Sequence, residues 1–168
     1  MYQIGDQVVY GIHGVCRVVN LEERSVDGKQ AVFLVLEPEG QEGARYLIPT
    51  HNAVAMSKLL RMLSKEALDD LLISEQVHTD GWISDEKQRK QAYRELISSS
   101  DRARLMQMVC TLYKRKVIQN ASGKKMHLCD DNFLRDAEKL LAGEIMAVFH
   151  MDSKSALGYL KEKLKEDA

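Results

Sequence analysis

A chain of 168 residues can form one ordinary domain or two small ones. Its 45% apolar and 29% charged content is that of a soluble globular chain and not of a disordered or membrane one, and no apolar run approaches the roughly 20 residues needed to span a bilayer. The net charge of −1 conceals a segregation: residues 82–125 hold eleven Lys/Arg against four Asp/Glu, a net of +7, while every other stretch is acidic. Such asymmetry points to a polyanionic partner or to solvated helix faces.

The first 50 or so residues alternate in the manner of short strands separated by turns. Val8 to Tyr10 is followed by a glycine-flanked turn (Gly11 to Gly14) and then by Val15 to Val19. Asp27-Gly28 is a hairpin signal, the run Val32 to Leu36 ends at Pro38, and Ala44 to Ile48 is closed by Pro49. Several short strands with glycine-rich turns predict a small barrel or strongly bent sheet over residues 1–53.

From about Thr50 the spacing becomes helical, and residues 54–168 are expected to form an all-α bundle. Ser64 and Ser84 are expected N-caps, and the run Ser98 to Asp101 is expected to cap a third helix. In that helix Leu105, Met108, Val109 and Leu112 make a buried stripe, and a loop is expected from Ile118 to Lys125. A fourth helix from about Asp131 turns Leu134, Ala137, Leu140, Leu141, Ile145, Val148 and Phe149 inward, and the segment from Asp152 predicts a last short helix. The expected architecture is therefore α+β with two domains.

Cys16, Cys110 and Cys129 are sparse and odd in number, and "MYQIGDQVVY" has no basic segment leading into an apolar one, so a reducing, cytoplasmic setting is expected. His13 with Cys16, and His127 with Cys129, could each give two ligands to zinc, but paired Cys-x2–4-Cys units are missing. No nucleophile elbow, phosphate loop, metalloprotease helix or dinucleotide fingerprint occurs, so neither catalysis nor a cofactor is expected. Trp82, the only tryptophan, follows the Asp80-Gly81 turn and opens the basic segment. Its residues alone allow two readings: a ring folded onto the bundle, or an apolar wedge beside cations of the kind that unstacks bases in a minor groove.

The stretch "IGDQVVYGIHGVCRVVNLEE", followed by "GKQAVFLVLEP", "YLIPTHNA", the lone tryptophan, "SSSDRARLMQMVCTLYKRK" and "AEKLLAGEIM", resembles in order and spacing the CarD/CdnL family of bacterial transcription regulators. The first 50 residues also resemble the polymerase-interacting module of transcription-repair coupling factors. The resemblance implies a Tudor-like, SH3-like barrel that docks on the β subunit of RNA polymerase. It also implies a helical domain lying on promoter DNA at the upstream edge of the transcription bubble, where a tryptophan enters the minor groove without base-specific readout. A monomer acting through these two partners, away from membranes, is expected.

Carried over residue by residue, Trp82 takes the wedge role, Lys114 and Arg115 match the family's basic pair, and Lys124 and Lys125 match its basic loop. Lys87, Arg89 and Lys90 fall on the helix after Trp82 and join the expected DNA-facing set. Arg24 and Val26 match polymerase-facing positions, with Arg45 and Leu47 on the strand before Pro49. The family's usual proline after "VVY" is Gly11 here, an arginine found in some members is replaced by Leu47, and the stretch from Trp82 to Asp101 is about one helical turn longer than in the shorter members. An interaction module with no role on DNA is the alternative that residue chemistry leaves open.

Overall fold

The sheet is organised by its tightest turn. In the computed structural model, which describes residues 1–164, Asp27 and Gly28 both have positive φ, 52° and 75°. This is the type I′ geometry whose twist matches paired strands. The turn joins β2 (Val15–Val26) to β3 (Lys29–Pro38), with Val26 opposite Lys29. β2 thus runs well past the expected Val19, through a polar stretch without apolar alternation, because the turn itself imposes the pairing. A register shift between Val18 and Asn20 makes Val19 an extra residue that bends the strand.

β1 (Gln7–Tyr10) flanks this hairpin on one side and β4 (Tyr46–Pro49) on the other, and β5 (Leu59–Arg61) pairs with β1. The antiparallel order is β4-β3-β2-β1-β5. The expected barrel is realised as a bent sheet, since among the described residues no ladder joins β4 to β5. Instead a short helix, α1 (Ala53–Ser57), capped by the Asn52 side chain, connects these outer strands and packs against both. Val8, Cys16, Val18, Leu34, Leu36, Ile48 and Leu59 form the buried core of this unit. The N-terminal tail lies along β5: the Tyr2 hydroxyl donates to the Leu59 carbonyl at 3.3 Å, and Arg61 donates to the Met1 carbonyl at 3.0 Å with its guanidinium over the Tyr2 ring. This unit is Met1–Met62, so residues 54–62 belong with the sheet rather than with the helices.

The second unit begins at Leu63 and contains α2 (Lys65–Leu72), α3 (Glu75–His78), α4 (Glu86–Ser98), α5 (Arg102–Ala121), α6 (Leu128–Phe149) and α7 (Ser153–Leu164). Ser64 and Asp101 cap α2 and α5 through their side chains, as their chemistry dictates. α4 is capped by Asp85 rather than the expected Ser84; the Asp85 carboxylate accepts from the Gln88 amide at 2.8 Å. α5 continues through the expected loop start at Ile118 to Ala121. It stops where Gly123, at φ 71°, donates to the Asn120 carbonyl and the next amide, that of Lys124, donates to Gln119; this paired closure needs a left-handed residue. Leu105, Met108, Val109 and Leu112 of α5 meet Leu134, Ala137, Leu141 and Ile145 of α6 and Ala156, Leu160 and Leu164 of α7 in one apolar core.

Candidate nucleic-acid and polymerase interfaces

Between α3 and α4 the chain is strapped to α5. Gln107, Thr111 and Lys114, at i, i+4 and i+7, share one face of α5. The Gln107 side-chain amide donates to the Thr79 carbonyl at 3.1 Å, the Gly81 amide donates to the Thr111 hydroxyl at 3.0 Å, and Lys114 Nζ donates to the His78 carbonyl at 2.9 Å. A Cβ on Gly81 would come within 3.3 Å of the Gln107 side chain, so glycine lets the segment lie this close. The Asp80 carboxylate accepts from the Trp82 amide at 3.2 Å and turns the chain.

Trp82 is half-buried against the helical core. Two guanidinium groups lie over its ring, those of Arg89 and Arg115, each 4.4 Å from the centroid. That distance is within the range of cation–π attraction. Arg115 retains partial exposure, but Arg89 does not: it is 3% exposed and holds the 1%-exposed Asp130 through two hydrogen bonds of 2.9 Å. Its remaining nitrogen donates to the Ile83 carbonyl at 3.0 Å. Burial alone would weaken the charge of Arg89, but the hydrogen bonds and charge of Asp130 overcome this and raise its pKa. Asp130 sits in the first turn of α6, where the helix dipole favours a carboxylate. Beside the pair, the Tyr93 hydroxyl is buried without a hydrogen-bond partner among the described residues, and burial, helped by the charge of Asp130, pushes its pKa up to about 12.

The expected DNA-facing cations therefore differ in kind. Arg89 is corrected from a surface cation to a buried one whose donors are spent inside the protein. Lys90 is ion-paired with Glu86 at 2.8 Å, and Lys114 leans on the His78 carbonyl while remaining exposed. Lys87, Lys124 and Lys125 are exposed and form no ion pair among the described residues. Lys124 and Lys125 directly follow the turn that ends α5, and the axis from Arg115 to that end is about 9 Å long. Asp130, Thr111 and Gln107 were not among the expected site residues. Nothing near Arg89 in the chain signals its partner, which lies 41 positions away.

In the sheet, pairing parity puts Arg24, Val26 and Leu47 on one face, and Arg45, just before β4, reaches Glu37 of the same face. Partners across a ladder share a face, and Leu47 opposes Val35, which opposes Asn20; Glu22, Arg24 and Val26 follow at steps of two, facing Phe33, Ala31 and Lys29. Arg45 reaches Glu37 on β3 at 3.9 Å and Arg24 is paired with Glu22 at 2.8 Å. Val26, at the hairpin tip, and Leu47, six residues of β3 away, remain 44% and 36% exposed on this face. Because the Thr50 amide donates to the Val32 carbonyl, every second residue of β4 bonds inward and the Leu47 amide and carbonyl point away from β3.

Of the residues weighed as metal ligands, His13 and Cys16 have other surroundings, and so does the remaining buried thiol, Cys110. His13 stacks on Tyr46 and Tyr10, with centroids 3.9 and 5.3 Å away, and burial lowers its pKa. Cys16 is fully buried and its thiol is pushed up to about 11 by burial and by Glu39, which disfavours the thiolate a metal needs. Cys110 lies against His78, its sulfur 3.6 Å from Nδ1.

Compared with known families, residues 2–60 match the model of the CarD-like/TRCF RID domain. The match begins in the N-terminal tail, crosses all four strands of the main ladder and ends within β5, so it takes in the sheet-bearing unit and stops before the helices. The N-terminal unit of the chain therefore carries a CarD-like/TRCF RID domain, an RNA-polymerase-interacting module.

Proposed function

We propose that this protein is a transcription regulator that binds the β subunit of RNA polymerase through its sheet and holds promoter DNA at the upstream edge of the bubble through its helical unit. It acts without catalysis and without base-specific readout, as a cytoplasmic monomer. The observation that carries this reading is Trp82, a half-buried ring with two guanidinium groups over it, standing at the head of the +7 segment of a chain whose other unit interacts with polymerase. An aromatic edge entering a minor groove unstacks a base step, and nearby lysines neutralise the flanking phosphates. Both effects are independent of sequence, which suits a factor brought to every promoter by polymerase itself.

On the polymerase side, Leu47, exposed on the outermost strand near Arg45, suits a protein surface, its outward backbone suits an added strand, and Val26 with Arg24 extends the same face toward the hairpin tip. The sheet unit, with six Lys/Arg against seven Asp/Glu over residues 1–62, has no cationic excess to attract DNA, so tethering through protein contacts supplies the local concentration that weak phosphate contacts need. The test is Trp82→Ala, followed by the lifetime of promoter open complexes. The expected result is a shorter lifetime with polymerase binding intact. A folded, polymerase-bound variant with an unchanged lifetime removes the wedge role and leaves an interaction module alone.

A further inference from the structure

Arg89 has the sequence position of a phosphate contact and the environment of a core residue. Its side chain leaves the first turn of α4 and makes three kinds of contact at once: two hydrogen bonds to Asp130 of α6, one to the Ile83 carbonyl, and a stack over the Trp82 ring. With 3% exposure it has no surface to offer a ligand. A lysine could match its charge, but the planar fork is what allows one side chain to grip a carboxylate edge-on while presenting a flat face to an aromatic ring. The contacts on the other side of the segment come from α5, through Gln107, Thr111 and Arg115.

We propose that Arg89, locked by Asp130, is a positioning residue that sets the orientation of the Trp82 ring and does not itself contact DNA. The inference takes its functional consequence from the proposed role of Trp82, but the positioning is a property of the free protein. The segment from Thr79 to Ser84 lies outside α3 and α4, so its path is fixed by side chains. Arg89 is the only side chain among the described residues that touches the Trp82 ring, the carbonyl that follows it and a second helix together. A buried, neutralised pair is a poor source of net stability, since its desolvation cost is close to its Coulombic gain. Fixing geometry is the use for which such pairs are best suited.

Because Trp82 is the only tryptophan, its fluorescence reports this ring alone. The experiment compares full-length wild type, Arg89→Lys, and the paired replacement Arg89→Met with Asp130→Leu, which removes both charges together. Acrylamide quenching and the near-ultraviolet dichroism of tryptophan are read on the free protein, and open-complex lifetime is read with polymerase on a promoter. The expected result is native far-ultraviolet dichroism with quenching raised about two-fold and the tryptophan band weakened, as a ring without its cation–π partner loosens. The lifetime gain should fall on the order of ten-fold, toward that of Trp82→Ala. Wild-type quenching in the folded double variant overturns the proposal. Loss of helix signal in both variants also overturns it, because the pair would then support the fold and not the ring. If Trp82→Ala leaves the lifetime unchanged while the Arg89 variants still free the ring, the positioning stands and the DNA role of Trp82 falls.

Discussion

Neutralising Lys124 and Lys125 together should change the salt dependence of promoter binding by an amount the geometry fixes. Each lysine seated on a phosphate displaces about 0.9 counterion from duplex DNA, so replacing both by glutamine should lower the slope of log K against log salt by about 1.8. A four-fold rise in salt would then cost wild type about twelve times more affinity than the variant. Both side chains are exposed, neither is in an ion pair among the described residues, and both follow the turn that ends α5, so the substitutions leave the fold intact. The paired replacement Arg89→Met with Asp130→Leu is the control: the two charges already neutralise each other, so affinity should drop with no change in slope. Lys90→Gln should fall between, because releasing Lys90 to DNA strands Glu86. The assay is titration of a promoter fragment with the polymerase complex over a range of potassium chloride concentrations. An unchanged slope for the double lysine variant, or a slope that falls for the paired Arg89 and Asp130 replacement, refutes this division of the cations.

Three further outcomes follow from the same geometry. Leu47→Asp, on an exposed site of the outermost strand, should alter stability by no more than about 0.5 kcal/mol and yet abolish capture of polymerase in a pull-down; full capture would exclude that face of β4 from docking. Tyr93→Phe removes a buried hydroxyl that has no partner among the described residues and should stabilise the protein by about 1 kcal/mol in urea unfolding. The folded state holds the Tyr93 proton more tightly than the unfolded chain, with a pKa of about 12. Its contribution to stability is therefore complete below the ordinary tyrosine value and is lost as pH rises from there through about 12, a decline that Tyr93→Phe should reduce. A thiol reagent at mildly alkaline pH should label Cys129 first, since Cys16 and Cys110 are buried and burial raises both their pKa values; rapid reaction at three sites would contradict this packing.

Features governed by neighbouring residues were legible in the sequence. Asp27-Gly28 dictates a turn by backbone sterics, Ser64 and Asp101 announce helix starts by satisfying free amides, and the apolar stripe of α5 follows from its period. What was not legible depends on residues distant in the chain. β5 is three residues long and too short to show a period; it exists because Tyr10 and Leu59 begin a ladder. The polar half of β2 is a strand only because its partner across the turn is one. Arg89 looks like every other cation of its segment, and only the fold brings Asp130 within 2.9 Å and turns it inward. Three of the expected polymerase-facing residues, Arg24, Val26 and Leu47, share a face by pairing parity, which needs the register and not merely the strands.

The cover over β5 has a consequence for assembly. A strand edge offers unpaired amides and carbonyls that template a further strand, and a sheet with two open edges can add copies of itself without limit. Here the tail from Met1 and Tyr2 occupies one side, through Leu59 and Arg61. The other side ends in a strand of only four residues. Growth by edge pairing is therefore disfavoured beyond a single addition: a strand could join at β4, while the tail hinders a successor at β5. The sheet is built as a chain stopper, fit for one-to-one docking and protected against stacking into fibres.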